Sequence, residues 1–202
     1  MKPLALTLAI AACGGSVPAT RYYQLASPPV SAHRSGDGAA IAVEPLVADG
    51  AYGDQRIVYR VDPVRLDYYD YHRWSTAPGA MIGGYLAQAL ASTGEFSAVT
   101  RDATSATAVV LGGRVLALEE IDVDSHHWVG HVAIELTLRD ASTGAIVWAR
   151  SFDEREPEAA QSPEGLARAA GVAMRRIVEA SVSDLAQFAN REAQARVTRQ
   201  LE

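Results

Sequence analysis

Apolar positions alternate most regularly between His131 and Arg139, with Val132, Ile134, Leu136 and Leu138 on one face and His131, Glu135, Thr137 and Arg139 on the other. A period of two predicts a strand with one buried face and one wetter face. The runs Ala108 to Glu119 and Ala145 to Phe152 have the same character, and a shorter one begins at Phe96 to Val99. Asp140-Ala141-Ser142-Thr143-Gly144 separates two of these strands and reads as a hairpin loop in which Gly144 takes a positive φ. Upstream, four more strands are expected at Arg21 to Leu25, Ala40 to Leu46, Arg56 to Arg60 and Val64 to Tyr71, where aromatic and β-branched residues suit a pleated, half-buried surface. Asp62-Pro63 marks a turn, and Pro45, which has no N–H to give a ladder, belongs at a strand end or an edge. Ala26 to Gly38, with two prolines, three serines and two glycines, lacks apolar periodicity and reads as a loop.

Two segments switch to helical spacing. Ser75-Thr76-Ala77-Pro78 offers capping hydroxyls and a first-turn proline, after which Ile82, Leu86, Ala89 and Leu90 recur at helical intervals until Gly94. Gly83-Gly84 weakens that helix, and close packing on the sheet is the expected compensation. Ser162-Pro163-Glu164 opens a longer helix whose apolar face runs through Leu166, Ala170, Ala173, Ile177, Leu185 and Phe188 and should lie on the sheet beside the first. Residues 191–202 form a charged tail, either a frayed extension or a partner-binding segment.

The N-terminus has a different pattern. Lys2 precedes an apolar run from Leu4 to Ala12, which is the order of a secretory signal and too short to span a bilayer. Leu8-Ala9-Ile10-Ala11-Ala12-Cys13 resembles a bacterial lipobox, and Cys13 is the single cysteine of the chain. That resemblance implies a signal peptide at 1–12, acylation of Cys13 as the new N-terminus and a lipidated tether at 13–20. Two or more acyl chains anchor stably where one does not. Gly14 stands where an aspartate commonly retains such lipoproteins in the inner membrane, so delivery to the outer membrane is expected.

Composition changes this picture little: 49% hydrophobic and 21% charged residues describe a globular chain. A net charge of -6 with scattered basic residues argues against nucleic acid as a partner. His126, His127 and His131 invite a metal reading, but four strand residues span roughly 13 Å, too far for two imidazoles to share an ion. Asp62, Asp67 and Asp70 are close in sequence without a nucleophile or histidine motif beside them, and the chain has neither G-x-S-x-G nor H-E-x-x-H. Solvated turn carboxylates account for them. A periplasm-facing lipoprotein hydrolase with a carboxylate-based site is the alternative reading.

The order lipobox, Tyr22-Tyr23-x-Leu25, Ile57-Val58-Tyr59-Arg60, Tyr71-His72-Arg73-Trp74 and Gly94-x-Phe96 resembles the ABC-type transport auxiliary lipoprotein family. The resemblance covers roughly Arg21 to Phe188. It implies an α+β domain at 21–190, an antiparallel β-sheet with two helices packed on one face. It also implies a non-enzymatic outer-membrane subunit, without a cofactor beyond its lipid. The partner would be a periplasm-spanning MCE-domain protein and its ABC transporter, in a system moving lipids between membranes, and homo-oligomeric rings are expected. Tyr22, Tyr23, Tyr59, Arg60 and Trp74 fall on the family pattern as a partner or oligomer interface, the last two with an alternative: Trp74 in the core and Arg60 paired with a carboxylate.

Overall fold

The structure is a computed structural model that describes residues 17–27, 36–48 and 50–201. The signal segment, Cys13 and the first half of the tether, through residue 16, lie outside the described residues, as does part of the 26–38 loop. In chain order the elements are β1 (Arg21–Tyr23), β2 (Ala40–Val43), β3 (Val47–Ala48), a 3₁₀ turn (Gly50–Tyr52), β4 (Arg56–Asp62), β5 (Arg65–Trp74), α1 (Pro78–Thr93), β6 (Val99–Thr100), β7 (Thr107–Asp122), β8 (Trp128–Asp140), β9 (Ile146–Pro157) and α2 (Pro163–Leu201).

β7 is the hub. One of its edges pairs antiparallel with β8, from Val109 opposite Asp140 to Asp122 opposite Trp128, and β9 continues the sheet beyond β8. The other edge is occupied end to end by β2, β3 and β4, all parallel to β7. The sheet is therefore mixed, which corrects the expectation of an antiparallel one. The cause lies in the connections. Antiparallel strands need only a hairpin, whereas β4 returns to β7 through β5, α1 and β6, a crossover long enough to reverse direction and leave the two strands parallel.

Both helices cover one face of this α+β fold. α1 buries Ile82, Leu86 and Leu90, and α2 buries Leu166, Ala170, Ala173, Ile177 and Leu185, against Ile41, Ile57, Leu111, Leu118 and Ile134 of the strands. The Tyr85 hydroxyl donates to the Gly171 carbonyl at 3.0 Å and joins the helices. Gly83 earns its place by close approach, since a Cβ there would stand 2.8 Å from the Glu44 carbonyl oxygen. The helix starts differ. Ser162 accepts from the Gly165 N–H at 3.1 Å as expected of a cap, whereas α1 starts from Ala77 without a side-chain cap, so the Ser75 and Thr76 hydroxyls do not cap it. Gly144 has φ of 74° in the β8–β9 loop, the conformation that its position requires.

α2 does not stop at Asn190. It runs through the charged segment to Leu201, with Arg196 donating to the Ser105 and Thr107 carbonyls at 3.2 and 2.9 Å and Arg199 to Asp140 at 3.2 Å. At 1.5 Å per residue the helix is about 58 Å long. No helix among the described residues is long and apolar enough to cross a membrane.

Candidate functional site

The far end of β7 carries two consecutive carboxylates, and strand alternation sends them to opposite faces. Glu119 points away from the helices. The Tyr52 hydroxyl donates to its Oε2 at 2.7 Å, Arg60 donates from Nε to both oxygens at 3.2 Å and from Nη2 at 3.0 Å, and His131 Nδ1 lies 3.2 Å from Oε1. His131 Nε2 is in turn 3.2 Å from Asp153. Burial alone would raise the Glu119 pKa, but the hydrogen bonds from His131, Arg60 and Tyr52 override it and hold the group at about 2. Burial, reinforced by the Glu119 carboxylate, pushes the Tyr52 phenol up to about 12.

Glu120 points toward the helices and has one neutral donor, the Tyr69 hydroxyl at 2.7 Å from Oε1. Its other neighbours are acidic, the carboxyl groups of Asp122 and Glu158, whose negative charge bears on it. Glu120 Oε2, Asp122 Oδ1 and both Glu158 oxygens are buried without a hydrogen-bond donor among the described residues. Burial first, then the neighbouring negative charge, lifts Glu120 to about 7 and Glu158 to about 8, and burial raises Asp122.

An aromatic band begins over this acidic pocket. Tyr59 and Tyr69 have ring centroids 5.1 Å apart, Tyr69 meets His72 edge-on at 5.5 Å, and Tyr23 stacks on His72 at 5.5 Å with its hydroxyl 2.7 Å from Nδ1. Tyr23 also reaches Glu164 in the first turn of α2 at 3.4 Å. Of the five sequence-derived interface residues, Tyr23 and Tyr59 thus belong to one half-buried band, Tyr22 projects outward at 63% exposure, and Arg60 is spent on Glu119. Trp74 has no exposed surface. It fills the core under the end of β5 and presents nothing to a partner, which corrects its assignment to an interface.

The carboxylates Asp62, Asp67 and Asp70 do not converge: Asp62 caps its own turn through the Val64 and Arg65 amides, Asp67 pairs with Arg65 at 3.4 Å, and Asp70 is exposed. His127 pairs with Asp124 at 2.7 Å in the β7–β8 turn while His131 sits inside the sheet, and no cluster of metal-ligating side chains occurs among the described residues. Sequence reading missed Glu119, Glu120, Tyr52, Tyr69 and Glu158. The signal available was the pair Glu119-Glu120 between Leu118 and Ile121, because two carboxylates inside an apolar run put one on each face.

The molecule is an α+β domain in which a long central strand, flanked by three short parallel strands, carries two helices on one face. The description "ABC-type transport auxiliary lipoprotein component" matches residues 23–181, and the chain belongs to that family. Its fold is similar to that of protein XCC0632 from Xanthomonas campestris, described under DUF330, at 17% identity and a TM-score of 0.70, covering 87% of this chain and 99% of that one. An uncharacterized protein shares it at 15% identity and a TM-score of 0.59, over 92% and 100% of the two chains. The hypothetical protein CT253 from Chlamydia trachomatis does so at 8% and 0.50, over 75% and 98%. No curated protein matches the chain.

Proposed function

We propose that this protein is the non-enzymatic outer-membrane lipoprotein subunit of an ABC/MCE-type system that moves lipids between membranes, held by acyl chains on Cys13 and docking the periplasm-spanning MCE-domain protein. The family match across residues 23–181 carries the reading. The chemistry agrees with it: the buried polar groups pair with one another across strands rather than lining a cleft beside a nucleophile. Tyr22, with the partly exposed edges of Tyr23 and Tyr59, forms the aromatic part of the docking surface, since aromatic side chains dominate binding hot spots. Several copies tethered in one membrane plane raise one another's effective concentration, so weak contacts suffice for a homo-oligomeric ring.

A pull-down of the full-length lipoprotein from detergent-solubilised envelopes tests the proposal. Capture of an MCE-domain protein is the expected result, and Tyr22→Ala should weaken it several-fold. Hydrolytic turnover by the purified protein, with no such partner captured, would replace the reading with an enzyme.

A further inference from the structure

β4 is parallel to β7, so the β4–β5 turn and the β7–β8 turn project from the same end of the sheet. Val64 sits 92% exposed on the first turn, Val123 63% exposed on the second, and Val61 38% exposed at the end of β4. In the β4–β7 register Arg60 is level with Ile121, which places Val61 and Val123 within a residue or two of the same height. The three valines crown one end of an otherwise polar rim.

The chain approaches from that end as well. β1 runs parallel to β5, with Arg21 beside His72, so the residues before Arg21 arrive from the side of the β4–β5 turn. Arg21 stands at about the height of Ile57, five residues or roughly 17 Å short of the turn. From Cys13 to Arg21 the backbone can span at most about 26 to 29 Å. A membrane-borne Cys13 can thus sit beyond the turns with length to spare. The opposite end is out of reach: the start of β7 at Thr107 lies about eleven residues, roughly 36 Å, the other way.

We propose that this end of the sheet rests on the lipid surface that holds the acyl anchor, with Val61, Val64 and Val123 in contact with it and the C-terminal end of α2 directed away. The inference rests on acylation of Cys13. The surrounding charges select the kind of surface. Asp62 and Asp124 are exposed beside the valines, and Arg65 is exposed but paired with Asp67. Such a rim suits zwitterionic headgroups such as phosphatidylethanolamine and is repelled by anionic ones.

The test uses full-length, acylated protein in vesicles of phosphatidylethanolamine and phosphatidylcholine carrying a nitroxide-labelled lipid. Because the native thiol is consumed by acylation, Val64→Cys or Ile146→Cys gives a single site for a fluorophore; Ile146 is 64% exposed near the opposite end, level with Arg139 and through it with Val110. Quenching several-fold stronger at position 64 than at 146 is expected, decreasing when phosphatidylglycerol is added at low salt. Equal or reversed quenching in protein whose intact mass includes the acyl chains overturns the orientation and leaves the anchor standing. A processed chain without the acyl mass overturns both.

Discussion

Glu119 and Glu120 are adjacent, and both are withdrawn from water, at 2% and 0% exposure. They nevertheless ionise at opposite ends of the carboxylate range, about 2 and about 7. Burial penalises the charged form of each. What differs is the company each keeps: Glu119 faces a guanidinium, a phenol and an imidazole, while Glu120 faces one phenol and two further carboxyls. A buried charge persists where donors surround it, and otherwise it is neutralised by a proton. One face of β7 is fastened by an ion pair, and the other carries a carboxyl that burial and its acidic neighbours keep protonated to higher pH.

The largest way to break this contrast is Arg60→Met, which leaves Glu119 buried without its cation. A loss of roughly 3 kcal/mol is expected, read from the midpoint of denaturant unfolding at pH 7. A loss smaller than about 1 kcal/mol would mean that Tyr52 and His131 hold the charge unaided.

Next comes the pH profile. Glu119 has a folded pKa below its unfolded value of 4.5, so its contribution is complete above about pH 4.5 and is lost as pH falls toward 2. Glu120 and Glu158 have folded values above 4.5, so the folded state holds more protons than the unfolded one between about pH 4.5 and 8, and stability falls as pH rises through that window. Maximum stability near pH 5, with a decline of roughly 2 kcal/mol by pH 8.5, is the expected outcome of unfolding followed across pH. Glu158→Gln should flatten the alkaline decline and leave the acid limb untouched. A decline that persists unaltered in that variant would place its origin elsewhere.

The smallest effect sharpens the comparison. Tyr52→Phe removes one neutral donor from Glu119 and should cost about 1 kcal/mol, while shifting the acid limb upward in pH. Thermal unfolding at pH 3 and pH 7 would show the smaller deficit at the lower pH, where Glu119 begins to take up its proton, and a uniform deficit would indicate lost packing alone.

The elements were largely legible because their signals are local. The alternation at His131 to Arg139, the Asp140 to Gly144 turn and the helix from Ser162 all depend on neighbours within a few residues. Strand direction is not local: nothing in Ala40 to Val43 or Arg56 to Asp62 says that both lie parallel to β7, because that follows from the length and path of the segments between them. The site suffered likewise. Arg60 and Glu119 are far apart in sequence, and so are Tyr69 and Glu120, so neither pair could be read without the register. Trp74 shows the reverse error, since a large aromatic in a suggestive motif looks the same on paper whether it faces a partner or the core.

The placement of β7 also governs the order in which the domain can be completed. Ala40 meets Thr107 and Val58 meets Glu119, contacts about sixty residues long of the kind that slow folding. A chain made from its N-terminus therefore presents β2, β3 and β4 well before the strand that pairs with all three exists. Until residue 122 has emerged, three strand edges and the apolar face of α1 stand open, so the first half of the molecule is the part that most needs shelter during biogenesis.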